Sequence, residues 1–87
     1  TNGIVEIDVS TSAAKILRTF SLPAPKVGGA PFPCGLAIQS ERLFVAANRS
    51  NQVFELNLTD GQVVRAINTA PAPFAVTLNP TGTELWV

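Results

Sequence analysis

Few side chains in this sequence could carry out catalysis. There is no histidine, and Cys34 is the single cysteine. Nucleophilic catalysis in which a histidine activates a serine or cysteine is therefore excluded within this segment. The carboxylates of Asp8, Glu41 and Asp60 are scattered along the chain rather than grouped at metal-ligand spacing. We predict no catalytic residue, no metal site and no cofactor in these 87 residues.

Two further features that could be chemical have simpler structural explanations. Glu6 and Asp8 lie two residues apart, so they share one face of an extended strand. We expect Asp8 to accept backbone hydrogen bonds in the turn that follows, through Ser10 and Thr11. Cys34 lies among small and apolar residues, where we expect a buried thiol. A lone cysteine does not define the redox compartment.

The composition excludes several classes of protein. Apolar residues make up 46% of the chain and charged residues 14%, and six basic residues balance six acidic ones. Nucleic-acid binding needs a basic footprint, disorder needs a less apolar chain, and a membrane helix needs an apolar run of about 18 residues. We therefore expect neither a nucleic-acid partner nor a membrane span. No signal peptide is visible, and a chain without methionine is expected to be a piece of a longer product.

Four segments of the sequence occur twice in the same order. Residues 2–9 and 51–58 both run as Asn, any residue, two apolar residues, Glu, an apolar residue, Asp or Asn, and a last apolar residue. The other three pairs are 15–20 with 62–67, 31–38 with 71–78, and 43–45 with 85–87. The underlying period of about 40–45 residues is typical of the four-stranded blade of a β-propeller.

The repeated segments alternate between apolar and polar residues as β-strands do. We predict eight strands, at about residues 4–9, 15–20, 35–38, 42–46, 52–58, 63–67, 74–78 and 84–87. Proline-rich connections divide them, because proline cannot donate to a strand ladder. The predicted fold is all-β, with about two four-stranded antiparallel blades: residues 1–20 form the last two strands of a first blade, 21–33 a crossing loop, 34–67 a complete blade, 68–73 a second crossing loop, and 74–87 the first two strands of a next blade.

Several of these segments resemble the YVTN-type β-propeller repeat. Residues 42–53 are similar to its apolar-Tyr-Val-Ala-Asn strand with the polar turn and Val-rich strand that follow, and residues 79–82 are similar to its Ser-Pro-Asp-Gly turn. Phe44 and Trp86 stand where the family has tyrosine. The resemblance covers nearly the whole chain and implies a fragment of a larger, seven-bladed propeller. Its partners would be the remaining blades or further copies of the chain, since such repeats cannot cover both of their own faces.

Strand alternation brings the long connections together at one rim. These are residues 21–33, 46–51 and 70–73, whereas the short turns meet at the other rim. Long loops on a rigid scaffold are where binding usually occurs. We therefore predict contacts to a protein or small-molecule ligand from Lys26, Asn48, Arg49 and Asn51. Arg18 and Arg65 lie at equivalent places in outer strands, where we expect their charge to keep the sheet edge from pairing with another chain.

The resemblance implies a function only in outline. Residues 17–51 are particularly similar to bacterial chains in which a YVTN-type propeller precedes an alkaline-phosphatase-like phosphoesterase domain. The leading hypothesis is thus a non-catalytic scaffold or binding segment of an exported bacterial protein, periplasmic or extracellular. One alternative is part of a lactonase-like propeller, in which central-channel residues of many blades hold a metal or substrate. Another is a structural surface-layer repeat. Whether a parent chain is a hydrolase is left open.

Overall fold

The computed structural model describes residues 3–87, which form eight β-strands. The strands are β1 (Gly3–Asp8), β2 (Lys15–Ser21), β3 (Pro33–Gln39), β4 (Arg42–Ala47), β5 (Gln52–Asn57), β6 (Val63–Asn68), β7 (Thr77–Leu78) and β8 (Leu85–Trp86). A single 3-10 turn, Asn48–Ser50, joins β4 to β5. Over residues 3–87 there is no α-helix, and hence none with the length and apolar character to cross a membrane. The predicted all-β class is confirmed.

The strands form three antiparallel sheets. β1 pairs with β2, β3 to β6 form a central sheet in sequence order, and β7 pairs with β8. Neighbours in sequence pair because the turns that join them are short, as in hairpins. The long connections, residues 22–32 and 69–76, instead carry the chain to the next sheet. β7 and β8 have two residues each and are shorter than expected, while residues 74–75 lie against the backbone of Gly35 in β3.

The sequence repeat is also a repeat of strand geometry. A register shift interrupts the β1–β2 pairing after Glu6 and the β5–β6 pairing after Glu55. In both pairs the opposite strand carries one extra residue, Leu17 in the first and Val64 in the second. Bulges of this kind place a local bend in a strand, so the two outer hairpins bend at equivalent positions.

The turns after β1 and β5 are built alike. The Ser10 N–H donates to Asp8 Oδ1 at 2.8 Å, and the Thr59 N–H donates to Asn57 Oδ1 at 2.8 Å. Short polar side chains stabilise turns by such bonds to the backbone two residues on. The hydrogen bonds from Ser10 lower the pKa of Asp8. The structural role expected for Asp8 is confirmed for Ser10, whereas the Thr11 hydroxyl accepts the Ala13 N–H at 3.3 Å.

Equivalent backbone conformations also occur where the chain enters β3 and β7. Phe32 has a φ of 54° and Ala72 a φ of 59°, and each lies between two prolines. Side chains other than glycine rarely adopt this left-handed conformation, because Cβ crowds the backbone. Its occurrence at two equivalent positions shows that both crossing loops enter the next sheet by the same turn.

The main core lies between the β1–β2 hairpin and the central sheet. One face of β4 and β5 packs there through Leu43, Val45, Ala47, Phe54 and Leu56, with Phe20 and Leu22 against them. The opposite face of the same two strands, with Phe44, Ala46 and Val53, is buried as well. The outer parts of the structure differ, since large apolar side chains of β1, β2, β3 and β6 remain exposed: Val5, Ile7, Ile16, Leu17, Leu36, Ile38 and Val64.

The expectation of a buried Cys34 thiol is wrong. Cys34 is exposed, because it lies on the same face of β3 as Leu36 and Ile38, and nothing in residues 3–87 covers that face, whereas the opposite face of the strand is half-buried. The Cys34 Sγ lies 3.4 Å from the carbonyl oxygen of Pro73 and 3.7 Å from that of Ala46.

Candidate functional site

The rim formed by the long connections contains the four predicted contact residues. Its first junction joins residues 31–32 of the first crossing loop to the 3-10 turn between β4 and β5. The Asn48 N–H donates to the Phe32 carbonyl at 3.0 Å, and the Arg49 N–H donates to the Pro31 carbonyl at 3.1 Å. These backbone bonds hold the start of the turn against the crossing loop.

Asn51 joins the same turn to the second crossing loop. It has φ 55° and ψ 41°, a left-handed conformation that asparagine tolerates better than most residues. Its carbonyl accepts the Thr69 N–H at 3.0 Å, and its Oδ1 accepts the Ala72 N–H at 2.9 Å. Its equivalent in the repeat, Asn2, lies outside the described residues.

Asn48 reinforces this second junction. Its Nδ2 donates to the Pro73 carbonyl at 3.2 Å, next to the Cys34 Sγ contact with the same oxygen. The side-chain amides of Asn48 and Asn51 are thus engaged in positioning backbone. Of the four predicted residues, these two hold the rim together in the structure.

Lys26 and Arg49 line a cavity of about 350 Å³ at this rim. One wall is the first crossing loop, residues 24–27, and the other is formed by residues 49–52 and Asn68. Gln52 Nε2 donates to Asn68 Oδ1 at 3.0 Å and so links β5 to β6 at the cavity edge. The structure therefore brings Lys26, Arg49 and Asn51 to one cavity, while Asn48 lies outside its lining.

Sequence reasoning missed three of the polar residues in this lining, namely Ser50, Gln52 and Asn68. Gln52 and Asn68 are partners in the β5–β6 register, which places both at the end of the hairpin beside the long loops. The Ser50 Oγ is buried and has no hydrogen-bond partner within residues 3–87. The sequence did contain a signal for Gln52 and Asn68. A short turn joins the end of β5 to the start of β6, so the first residue of β5, Gln52, and the last residue of β6, Asn68, must lie at the rim of the long connections.

The cavity is cationic because the acidic side chains lie elsewhere. Within the described chain, ion pairs join Arg18 to Glu6, and both Arg42 and Arg65 to Glu55. Lys26 and Arg49 take part in none of these pairs, and no acidic residue among residues 3–87 belongs to the cavity lining. Its charged groups are thus an ammonium and a guanidinium.

The ion pairs explain the repeated arginines better than sequence reasoning did. Arg65 Nε donates to Glu55 Oε1 at 2.6 Å, and Arg42 Nε donates to Glu55 Oε2 at 3.0 Å. The equivalent Arg18 Nε donates to Glu6 Oε1 in the first hairpin. Arg18 and Arg65 do lie in outer strands, but each binds a glutamate that faces it across the ladder.

Glu55 is the buried charge of the structure, with its side chain 9% exposed. Burial raises the pKa of this carboxyl, but hydrogen bonds and charge from Arg42 and Arg65 outweigh burial and leave the pKa below its usual value. Arg42 also donates from Nη1 to the Gly82 carbonyl at 3.0 Å, and its guanidinium lies 4.8 Å from the Phe44 ring centre. This cluster links the central sheet to the β7–β8 turn and is structural.

The cavity is lined by groups that can hold a ligand by hydrogen bonds and charge. No group of three or more His, Cys, Asp or Glu side chains is placed to hold a metal ion within residues 3–87. Lysine, arginine and amide groups around a cavity supply hydrogen-bond donors and positive charge. Comparisons with protein-family models, curated proteins and solved structures find no match to this chain.

Proposed function

We propose that this chain is a non-catalytic segment of a β-propeller related to the YVTN-type repeat, and that its long-connection rim binds a ligand. The central sheet, β3 to β6, would be a complete blade. The β1–β2 and β7–β8 hairpins would be the outer half of the preceding blade and the inner half of the next. Support comes from the equivalent bulges after Glu6 and Glu55 and the equivalent turns at Phe32 and Ala72.

Exposed apolar surface supports the proposed partners. An apolar groove of about 150 Å³ lies between β1 and the central sheet, lined in part by Ile4, Leu36, Ile38, Leu43 and Leu58. β1 and β3 at its walls keep large apolar side chains exposed, whereas β4 and β5 are covered on both faces. Adjacent blades, or a second copy of the chain, would bury this surface in the way that neighbouring repeats do. The resemblance further suggests an exported bacterial protein, periplasmic or extracellular, with a phosphoesterase domain attached.

A single observation carries the binding role. Both crossing loops are hydrogen-bonded to the β4–β5 turn, which fixes the cavity wall that contains Arg49. The opposite wall, which contains Lys26, forms a turn closed by the Gly28 N–H donating to the Pro25 carbonyl at 2.9 Å. Pre-organised loops on a rigid scaffold lose little entropy on binding. The opposite rim consists of short turns whose polar side chains mostly bond to their own backbone.

The test is a fragment titration followed by amide chemical shifts. Neutral, cationic and anionic fragments would be added to ¹⁵N-labelled protein. We expect binding fragments to shift the amides of residues 24, 26–27, 49–52 and 68, and to leave the amides of the turns at 10–14, 59–61 and 79–83 unchanged. Shifts confined to the short-turn rim would contradict the proposal.

A further inference from the structure

We infer that the rim cavity is a site for a small anion with several charged oxygens, such as a phosphate ester or a polycarboxylate. This inference rests on the proposed binding role of the rim and names the class of ligand. Three observations support it: the positions of Lys26 and Arg49 in the long connections, the ion pairs that engage Arg18, Arg42 and Arg65, and the backbone hydrogen bonds at Arg49.

The charges of the connecting segments separate between the two rims. The long connections, residues 22–32, 48–51 and 69–76, contain Lys26 and Arg49 and no acidic residue. The short turns at the other rim, residues 40–41, 58–62 and 79–84, contain Glu41, Asp60 and Glu84 and no basic residue. The acidic turns also have guanidinium groups beside them, since Arg42 Nη1 donates to the Gly82 carbonyl and Arg18 Nη1 to the Thr59 carbonyl. Within residues 3–87 the long connections are therefore the segments whose charge is of one sign and has no opposite charge beside it. Local fields of this kind concentrate ions of opposite sign.

The two cations at the cavity have no carboxylate partner in the structure. All six basic side chains lie within residues 3–87, and three of them, Arg18, Arg42 and Arg65, form ion pairs. Of the other three, Lys26 and Arg49 line the same cavity, and Lys15 lies at the start of β2. Two carboxylates outside the ion pairs form hydrogen bonds in the short turns: Asp60 accepts the Gln62 N–H, and Glu41 accepts the Thr59 hydroxyl.

Arg49 is positioned by backbone bonds rather than by an ion pair. Its N–H donates to the Pro31 carbonyl, and the turn it belongs to ends at Asn51, which binds the second crossing loop. A guanidinium binds carboxylate or phosphate oxygens through two parallel N–H donors, and an ammonium adds a point charge. Asn68 supplies a further donor, because its Oδ1 is taken by Gln52 and its Nδ2 is not.

The cavity volume sets the size of the ligand. At about 350 Å³ it lies at the lower end of the range of about 300–1,000 Å³ found for small-molecule sites. It suits a compact anion rather than a polymer. Several charged oxygens are required to engage an ammonium and a guanidinium at once, so the class is narrowed to phosphate-type and polycarboxylate ligands.

The experiment titrates ¹⁵N-labelled protein with inorganic phosphate and, separately, with citrate, at constant ionic strength. We expect at least one anion to shift the amides of residues 26–27, 49–52 and 68. Lys26→Gln and Arg49→Gln should each weaken binding by about tenfold, the effect of losing one charge-assisted hydrogen bond. The relative response to phosphate and citrate distinguishes the two ligand types.

Lys15→Gln is the matched control, because Lys15 is exposed, forms no ion pair within the described residues 3–87 and lies outside this cavity. It should leave the affinity unchanged. Equal weakening in Lys15→Gln and Arg49→Gln would reduce the effect to general screening and overturn the inference, as would an absence of shifts with both anions at tens of millimolar. Neutral fragments that bind this rim when anions do not would overturn the anion site and leave the proposed function standing. Binding at the opposite rim would overturn both.

Discussion

Replacing the buried glutamate, Glu55→Gln, should destabilise the fold much more than the same replacement at its repeat equivalent, Glu6→Gln. Glu55 accepts hydrogen bonds from Arg65 at 2.6 Å and from Arg42 at 3.0 Å, and its side chain is 9% exposed. Glutamine retains one acceptor oxygen and turns an amide NH₂ toward the second arginine. One charge-assisted bond is lost, and the remaining one weakens.

The magnitude follows from burial. A hydrogen bond to a charged group contributes about 1.5–3 kcal/mol when it is buried. Arg42 and Arg65 are 37% and 58% exposed, so water compensates part of their loss. We expect Glu55→Gln to lower the free energy of unfolding by about 2 kcal/mol, which for a chain of this length corresponds to a decrease in melting temperature of about 8–16 °C.

Glu6→Gln removes the same chemistry from an exposed pair. The side chains of Glu6 and Arg18 are 41% and 37% exposed. Exposed ion pairs contribute between about 0 and 1 kcal/mol, so the decrease should stay below about 0.5 kcal/mol. Both variants would be unfolded in urea at matched protein concentration, because association makes apparent stability depend on concentration.

The effect should also depend on pH. Since the folded-state pKa of Glu55 lies below its usual value, the carboxylate contributes its full stabilisation above the unfolded pKa of about 4.3. That contribution is lost as the pH falls through the folded pKa. The difference between the wild type and Glu55→Gln should therefore be largest near pH 7 and shrink below about pH 4.

Two results would refute this reasoning. Equal destabilisation by Glu6→Gln and Glu55→Gln would mean that burial of Glu55 in the central sheet does not set the energy. A difference between wild type and Glu55→Gln that stays constant from pH 7 to pH 3 would mean that the ionised carboxylate is not the stabilising species.

Other predictions test the packing and the rim. Gly35→Ala should lower the free energy of unfolding in urea by about 1–3 kcal/mol, because a Cβ at this position would lie 2.6 Å from the Phe74 carbonyl oxygen. A variant as stable as the wild type would show that the two backbone segments do not lie this close. Asn51→Ala should cost about 1–2 kcal/mol, and Asn51→Gly less, since glycine tolerates the left-handed conformation; the reverse order would be inconsistent with φ 55°. The Cys34 thiol should react with a thiol reagent in the native state without unfolding, and complete protection that is lost only in urea would contradict its exposure. The isolated chain should associate through its exposed apolar strands, measured by light scattering, whereas a cooperative melt from a confirmed monomer would argue against open sheet faces.

Much of the fold could be predicted because its information is local. Alternation of apolar and polar residues marks each strand, and Asp8, Asn57 and the prolines around Phe32 and Ala72 mark the turns. Since each central strand pairs with the next, the order of the strands follows from the short turns between them. The position of the long connections at one rim follows from the same alternation.

The sequence could not predict which rim residues bind backbone and which line the cavity. Asn48, Arg49 and Asn51 all have polar side chains that could contact a ligand, and they lie close together in one tight turn. Only the packing of the second crossing loop assigns the side-chain amides of Asn48 and Asn51 to backbone partners, which lie 25 and 21 residues away respectively. The same packing leaves Lys26 and Arg49 at a cavity with no carboxylate partner among residues 3–87.

By itself, the sequence determined the repeat, the all-β class and the two kinds of connection, because strand period and turn chemistry act over a few residues. The tertiary structure decided which residues at equivalent positions of the repeat differ in burial and in their partners. Glu6 and Glu55 share one sequence environment, yet Glu55 lies in a covered strand with two arginines and Glu6 in an open hairpin with one. Cys34 is exposed for a related reason, since it lies on a face of β3 that no described residue covers. Burial is a property of what packs on a strand, and the strand's own residues do not specify it.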